Sequence, residues 1–232
     1  MPRECNEARA ETGGPSDPLS FSFSMIRTLY LHGFASSPQS AKAQELARRF
    51  HAEGWPFEIP DLNGADFRRL TLTEQLETVA RHAAGAPVHL IGSSLGGYLA
   101  ALYAARHAEA QKLILLAPAF GFARLYEQSL GAERLEQWRT SGVLRVMHYG
   151  QGVEVELGWQ FLEDARLYEE EPAITQPCLI FHGTRDAVVP VQISRQFART
   201  RTCCRLYEAE SDHELRDQVD AIWEAAREFL AS

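Results

Sequence analysis

The stretch VHLIGSSLGGYLAALYAARH, residues 88–107, restricts the fold of this chain more than any other. Residues 88–91 are apolar apart from one histidine and predict a short buried strand. Apolar side chains then recur at helical spacing, at Leu95, Leu99, Leu102 and Tyr103. The glycines and serines between the two patterns therefore lie on a turn that leads directly from a strand into a helix.

Strands and amphipathic helices alternate on both sides of this corner. Strand patterns occupy residues 26–33, 57–62, 88–91, 112–118, 178–184 and 204–210, and helical patterns occupy residues 37–55, 70–85 and 214–230. Ser37 is the predicted N-cap of the first helix, with Pro38 as its first residue. The last helix is expected to present one apolar face, formed by Leu215, Val219, Ile222, Trp223, Ala226 and Phe229. This alternation favours the α/β class, with a mostly parallel sheet of about six or more strands and helices on both faces.

Two segments depart from the alternation. Residues 1–24 are rich in Gly, Pro, Ser and Glu and are predicted to form a flexible tail, which leaves residues 25–232 as one domain. Translation starting at Met25 is an alternative to a start at Met1. Between about residues 120 and 172, a helical pattern at 124–138 and a hairpin at 143–157, turning at 149–152, form an insertion.

The insertion is predicted to be a small lid. It follows the strand at 112–118, whose carboxyl end lies on the same side of a parallel sheet as the serine corner. Several of its apolar residues look exposed: Leu125, Tyr126, Trp138, Val146, Met147, Trp159 and Phe161. We expect these residues to face the substrate; the alternative is that they pack the insertion onto the core.

Charge and cysteine content disfavour several classes of partner. The chain has 31 acidic and 23 basic side chains and a net charge of −8, which argues against binding to nucleic acid or to anionic membranes. Its four cysteines lack zinc-site spacing and are typical of reduced thiols in the cytoplasm. No apolar run is long enough to cross a bilayer or to act as a signal peptide, so we expect a cytoplasmic location.

The corner itself, Gly92-Ser93-Ser94-Leu95-Gly96, fits the pattern G-x-S-x-G. The pattern requires a sharp turn that lifts one serine hydroxyl above the sheet edge, with glycines where side chains would clash. Five residues of this kind also occur together by chance, but these follow a strand, begin a helix and come after two earlier strand–helix units. Ser94 is therefore the predicted nucleophile, and Ser93 is expected to be a small packing residue.

A serine hydroxyl needs a neighbouring base, and His213 fits that role best among eight histidines. It lies in the loop ESDHEL, between the last strand and the last helix, where open α/β sheets gather their sites. The other histidines fall within strands, on helices or their ends, in the hairpin, or in the loop after the first strand: His89, His182, His51, His82, His107, His148 and His32.

The base in turn needs a carboxylate that orients it. Asp186 follows the strand LIFHG and gives the chain order Ser94, Asp186, His213 that is expected for this fold. Asp212 is the alternative, but it is bonded directly to His213, and adjacent side chains seldom point at each other. Asp164 lies in the insertion. Asp186 is therefore the predicted acid.

The reaction also needs N–H donors for a developing oxyanion. The backbone N–H of Leu95, at the positive end of a helix, is one candidate. The loop after the first strand, LHGFASSP, should supply the other, and we assign it to the N–H of Phe34. His32, in the same loop, is expected to stabilise the loop rather than to act in catalysis.

From residue 25 to its end, the chain resembles the α/β-hydrolase superfamily. YLHGFASSPQSAKA and IGSSLGGYLA together are similar to sequences of small bacterial esterases of the YqiA type, whereas HGTRDAVVP and the insertion are closer to general serine-hydrolase and aminopeptidase-like patterns. The resemblance implies a serine hydrolase that acts on simple esters, with Ser94, Asp186 and His213 as triad. It also implies that the enzyme uses no cofactor and no metal.

The sequence thus predicts an enzyme that cleaves carboxylic esters of small or short-acyl substrates through an acyl-enzyme intermediate. A thioesterase or an aminopeptidase-like serine hydrolase uses the same residues and stays an alternative. A ligand-binding protein on a hydrolase scaffold is a third reading, because one fold carries many functions.

Overall fold

The structure, a computed structural model, describes residues 26–232, so the predicted tail at residues 1–24 lies outside it. Its strands are β1 (Arg27–Leu31), β2 (Phe57–Glu58), β3 (Val88–Ser93), β4 (Ala110–Leu116), β5 (Val143–His148), β6 (Val153–Gly158), β7 (Cys178–Gly183) and β8 (Cys204–Ala209). Its α-helices are α1 (Ala41–Ala52), α2 (Leu72–Ala83), α3 (Leu95–Ala104), α4 (Phe122–Ser141), α5 (Gln160–Ala165), α6 (Val191–Arg199) and α7 (Val219–Ala231).

Six of these strands form one sheet in the order β2-β1-β3-β4-β7-β8. Every neighbouring pair is parallel; for example, Leu90 of β3 lies opposite Leu29 of β1 and Leu113 of β4. The predicted α/β class and parallel sheet are confirmed. Because all six strands run the same way, the loops that follow β1, β3, β7 and β8 gather at one edge.

Side chains alternate between the two faces of the sheet and build two separate cores. Leu90 and Leu113 belong to the core that also includes residues of α2 and α3. Their neighbours Ile91 and Ile114 belong to the other core, together with residues of α1 and α7. The sheet is therefore covered by helices on both faces, as the near-continuous apolar character of its inner strands requires.

The insertion contains α4, the antiparallel hairpin β5–β6 and α5. The hairpin pairs His148 with Val153, so its turn falls at the predicted residues. The predicted helix at 124–138 is part of α4, which is interrupted at Gly131, where the backbone adopts φ 74° and ψ 163°. Glycine permits this left-handed conformation without a steric penalty.

Two predicted boundaries near the start are wrong for local reasons. Helix α1 begins at Ala41, not at Pro38, because Ser37 to Ser40 form a turn: the N–H of Ser40 donates to the Ser37 carbonyl and Ser37 Oγ accepts the N–H of Gln39. Proline suits such a turn as well as it suits a first helical turn. Strand β2 ends at Glu58 rather than at residue 62, two residues before Pro60, which has no N–H to donate to a neighbouring strand.

Two more differences lie in the second half. Helix α6 (Val191–Arg199) was not predicted, because it is short and buries only Val191, Ser194 and Phe197. Helix α7 begins at Val219 rather than at residue 214, since Leu215 adopts a left-handed φ of 52° and a 3-10 turn follows it at residues 216–218. Leu215 is still fully buried, so its predicted burial holds although it is not helical.

Candidate active site

Ser94 lies on the sharp turn between β3 and α3. Its backbone adopts φ 55° and ψ −118°, a conformation that a residue with a side chain rarely occupies. Surrounding hydrogen bonds hold it there: the Ser94 N–H donates to the Leu116 carbonyl at 2.8 Å, and the Ser94 carbonyl accepts the N–H of Ala119 at 3.1 Å. Strain of this kind persists only where the surrounding structure fixes it, as at functional sites.

Two glycines make this turn possible. A Cβ on Gly92 would lie 2.2 Å from the Gly96 carbonyl oxygen, and a Cβ on Gly96 would lie 2.0 Å from the Leu31 carbonyl oxygen. Both distances are far inside van der Waals contact. The G-x-S-x-G pattern is therefore a steric requirement of this corner, and the second glycine also lets β1 approach the start of α3.

The structure brings together the three side chains that the sequence singled out. Nε2 of His213 lies 3.0 Å from Ser94 Oγ, and Nδ1 of His213 lies 2.7 Å from Oδ2 of Asp186. A carboxylate can only accept, so Nδ1 donates to Asp186 and Nε2 is left to accept the serine hydroxyl proton. The His213 side chain is 15% exposed, whereas that of Asp186 is fully buried.

Three hydrogen bonds and one close histidine contact hold Asp186 as an anion. Its Oδ1 accepts the N–H groups of Val188 and Val189, each at 2.8 Å, while Oδ2 lies within reach of His213 and of His182. Burial raises the pKa of this carboxyl, but the hydrogen bonds from His182 and His213 outweigh it and hold the pKa well below its usual value. The carboxylate therefore stays ionised throughout the neutral range.

Asp212, the alternative acid, has a different partner. Its Oδ1 accepts the N–H of Glu214 at 2.9 Å and so closes the turn in which His213 lies. The same loop is fixed to the end of β7, since a Cβ on Gly183 would lie 2.4 Å from the Ser211 carbonyl oxygen. The buried amine of Lys42, from α1, also donates to the Glu214 carbonyl at 2.7 Å.

The loop after β1 lies against Ser94. A Cβ on Gly33 would come 3.5 Å from the Ser94 Cβ, which places the backbone of Phe34 beside Ser94. Leu95, the first residue of α3, is adjacent on the other side. Within residues 26–232, the N–H groups of Phe34 and Leu95 have no hydrogen-bond partner, so both are free to donate to a ligand.

His32 connects this loop to the segment that follows β2. It is almost fully buried, and its Nε2 lies 3.0 Å from the N–H of Leu62 while its Nδ1 lies 3.0 Å from the Gly33 carbonyl. Nε2 accepts and Nδ1 donates, which fixes the ring and the carbonyl of Gly33 together. These contacts agree with a loop-stabilising role for His32.

The insertion packs on the loop after β1. The Phe34 ring contacts four other rings at centroid distances of 5.3–6.0 Å, those of Phe67, Phe122, Tyr126 and Phe161. At the hairpin turn, a Cβ on Gly150 would lie 2.5 Å from the Ser37 Cβ. The insertion thus borders the site through an aromatic cluster and through its hairpin turn.

Of the insertion's seven apolar residues predicted to be exposed, two are buried and four are only half-buried: Leu125, Tyr126, Val146 and Trp159. Trp138 is 1% exposed and donates its indole N–H to the Leu157 carbonyl, and Phe161 is fully buried. Both belong to the core that α2 and α3 share. Met147, at 44%, is exposed as predicted. The apolar residues of α4 and α5 thus pack the insertion onto the domain. The exposure was mispredicted because an apolar helical pattern looks the same whether it packs on a core or faces a substrate.

Two residues of the site escaped the sequence analysis. His182 was assigned only to a strand, and Lys42 was not considered. The signal for His182 is its position four residues before Asp186, at the end of the strand whose next loop carries this carboxylate. Nothing in the local pattern marks Lys42, which occupies a buried position of an otherwise ordinary amphipathic helix.

The parallel sheet and the strained serine turn are features of the α/β-hydrolase fold. The model of the uncharacterised protein family UPF0227 matches residues 27–230. The chain belongs to this family, which confirms the resemblance seen in the sequence.

No helix within residues 26–232 combines the length and apolar character needed to cross a membrane.

Solved structures show the same fold at low sequence identity. Alpha/beta hydrolase domain-containing protein 10 from mouse is 20% identical with a TM-score of 0.75, and the match covers 88% of this chain and 89% of that one. Est1E from Butyrivibrio proteoclasticus is 20% identical with a TM-score of 0.72, covering 90% and 88%. A monoacylglycerol lipase from Paleococcus ferrophilus is 16% identical with a TM-score of 0.63, covering 88% and 93%.

Proposed function

We propose that this protein is a serine hydrolase that cleaves carboxylic esters of small or short-acyl substrates through an acyl-enzyme intermediate. The observation that carries the proposal is the continuous hydrogen-bonded chain from Ser94 Oγ through His213 to Asp186. The strained backbone of Ser94 and the two unpaired N–H groups beside it support the same conclusion. The proposed site of action is the cytoplasm, on the grounds of the sequence alone.

In the proposed reaction, His213 Nε2 takes the hydroxyl proton as Ser94 Oγ attacks the ester carbonyl. The N–H groups of Phe34 and Leu95 donate to the oxyanion of the tetrahedral intermediate. His213 then passes its proton to the leaving alkoxide, and the acyl group remains on Ser94. A water molecule then gives a proton to His213 and attacks the acyl carbon. His213 returns that proton to Ser94 Oγ as the acyl bond breaks, and the carboxylic acid product is released.

Asp186 acts throughout by holding the imidazole. Its ionised carboxylate accepts the Nδ1–H of His213, which keeps Nε2 unprotonated in the resting enzyme and stabilises the imidazolium once it forms. The low pKa of Asp186 matters here, since a protonated carboxyl could not serve both purposes. The fully buried side chain also keeps water from weakening this hydrogen bond.

The substrate class follows from the surroundings of Phe34. Its half-buried ring belongs to an aromatic cluster and follows Gly33, which lies against Ser94, and this apolar environment supports an apolar acyl or alcohol group. A thioesterase or an aminopeptidase-like hydrolase would use the same three side chains. We place the ester before the amide because an alkoxide leaves with less protonation than an amine requires; leaving-group chemistry does not separate the ester from the thioester.

Turnover of short nitrophenyl esters tests the proposal. The wild-type enzyme should release nitrophenol, with a burst wherever deacylation is slower than acylation. Asp186→Asn should lower kcat by up to about 10⁴, because the imidazole is then held in the wrong tautomer. Asp212→Asn is the matched control and should change kcat far less, since Asp212 bonds only the turn. An Asp212→Asn variant that is more damaged than Asp186→Asn would contradict the assignment.

A further inference from the structure

Asp186 is shared by two histidines. Its Oδ2 lies 2.7 Å from Nδ1 of His213 and 3.1 Å from Nε2 of His182. His182 is the fifth residue of β7, and its side chain is fully buried. The triad uses one of these histidines, which leaves the second one without a role in the mechanism described so far.

The neighbours of His182 fix the position of its protons. Nε2 faces two groups that can only accept, the Asp186 carboxylate and the Val189 carbonyl at 2.9 Å, so Nε2 carries the proton. Nδ1 then accepts, and its partner is the hydroxyl of Ser194 on α6, at 2.7 Å. Ser194 is also fully buried, so solvent does not compete for this hydroxyl.

The result is an extended relay with Asp186 at its centre. On one side Ser94 donates to His213, and His213 donates to Asp186. On the other side Ser194 donates to His182, whose Nε2–H donates to the Val189 carbonyl and lies 3.1 Å from Asp186 Oδ2. Both halves consist of a serine, a histidine and the same carboxylate. Only the first half reaches the surface, because the second half is enclosed between β7 and α6.

We propose that His182, held in place by Ser194, is a positioning residue for the acid of the site. It fixes the orientation of Oδ2 toward His213 and stabilises the carboxylate as an anion, in the way that second partners of metal ligands orient those ligands. This inference rests on the proposed function. His182 does not contact substrate, and its effect passes entirely through Asp186.

Three variants separate positioning from packing. His182→Leu removes the N–H that faces Asp186 and the Val189 carbonyl but fills the same space, whereas His182→Gln keeps an N–H donor near the position of Nε2 and an acceptor for Ser194. His89→Leu is the matched control, because His89 is also a buried strand histidine, on β3, without contact to Asp186. Each variant is assayed for kcat and KM on a short nitrophenyl ester and for melting temperature.

We expect His182→Leu to lower kcat by about 10-fold to 100-fold with KM changed by less than about 2-fold. His182→Gln should recover most of that loss. His89→Leu should keep kcat within about 2-fold of wild type even where its melting temperature falls as much as that of His182→Leu. A role limited to packing predicts instead that activity follows melting temperature in all three variants.

Two results would overturn the inference: a wild-type kcat in His182→Leu, or a His182→Gln variant no more active than His182→Leu. If His182→Leu does not fold, Ser194→Ala replaces it, and this smaller change should lower kcat several-fold with KM unchanged; a wild-type kcat there is equally contradictory. Asp186→Asn distinguishes a failure of the proposed function from a failure of the positioning role of His182. An active Asp186→Asn refutes the proposed function, whereas a crippled Asp186→Asn beside an active His182→Leu refutes this inference alone.

Discussion

Lys42 links the stability of the domain to pH. Its amine lies at a buried position of α1 and donates to the Glu214 carbonyl, one residue after His213. Burial lowers the pKa of Lys42 from 10.5 to about 8, and the nearby charge of Glu214 opposes this only in part. In Lys42→Met the titrating group is removed while the length of the side chain is kept.

The expected effect follows from the difference between the native and the unfolded chain. Between pH 8 and 10.5 the native Lys42 has lost its proton while the unfolded one retains it, so the unfolded chain binds more protons and the free energy of unfolding rises with pH. From pH 7 to pH 9.5 this rise amounts to about 2 kcal/mol. The Lys42→Met variant lacks it.

Urea unfolding of both proteins at half-unit steps from pH 7 to pH 9.5 measures the effect. The free energy of unfolding of wild type minus that of Lys42→Met should increase by about 2 kcal/mol over this range. Lys112→Met is the matched control, because Lys112 also donates to a backbone carbonyl but lies only partly buried. A difference that stays flat, or that equals the one measured for Lys112→Met, would refute the account of Lys42 as a buried amine.

Two further predictions concern the corner and the insertion. Gly96→Ala places a Cβ 2.0 Å from the Leu31 carbonyl oxygen, so it should abolish the native state or lower the free energy of unfolding in urea by more than about 4 kcal/mol. Gly97→Ala is the control: its Cβ would meet backbone only at 3.1 Å, and it should cost clearly less. Trp138→Ala should lower the free energy of unfolding by about 3–5 kcal/mol, and Met147→Ala by less than about 1 kcal/mol. Because Met147 is predicted to face the substrate, Met147→Ala should change the preference for acyl-chain length. An unchanged preference would contradict the predicted lid role of the insertion.

The sequence was sufficient to predict which residues lie close together when each of them directly follows a strand. Ser94, Asp186 and His213 each follow a predicted strand, and parallel strands bring their carboxyl ends to one edge, so their meeting could be derived without coordinates. The G-x-S-x-G corner singled out Ser94 as the proposed nucleophile, since only small residues at Gly92 and Gly96 permit the turn.

What could not be derived depends on contacts between distant segments. The ring of His182 points to a carboxylate in the next loop and to a hydroxyl on α6, a helix of only nine residues that was not predicted. Trp138 has the same amphipathic surroundings whether it covers a substrate or packs on the domain. Its burial is decided by the indole hydrogen bond to Leu157 and by the neighbouring aromatic rings.

Labelling with a fluorophosphonate probe, followed by mass spectrometry of the modified peptide, tests the central claim most directly. The probe reacts only with a serine that a neighbouring base activates, so it reports on the site without knowledge of the substrate. One probe molecule per chain should attach to Ser94, Ser94→Ala should lose all labelling, and Ser93→Ala should keep it. Labelling at Ser93, or a wild-type protein that does not react at all, would contradict the account.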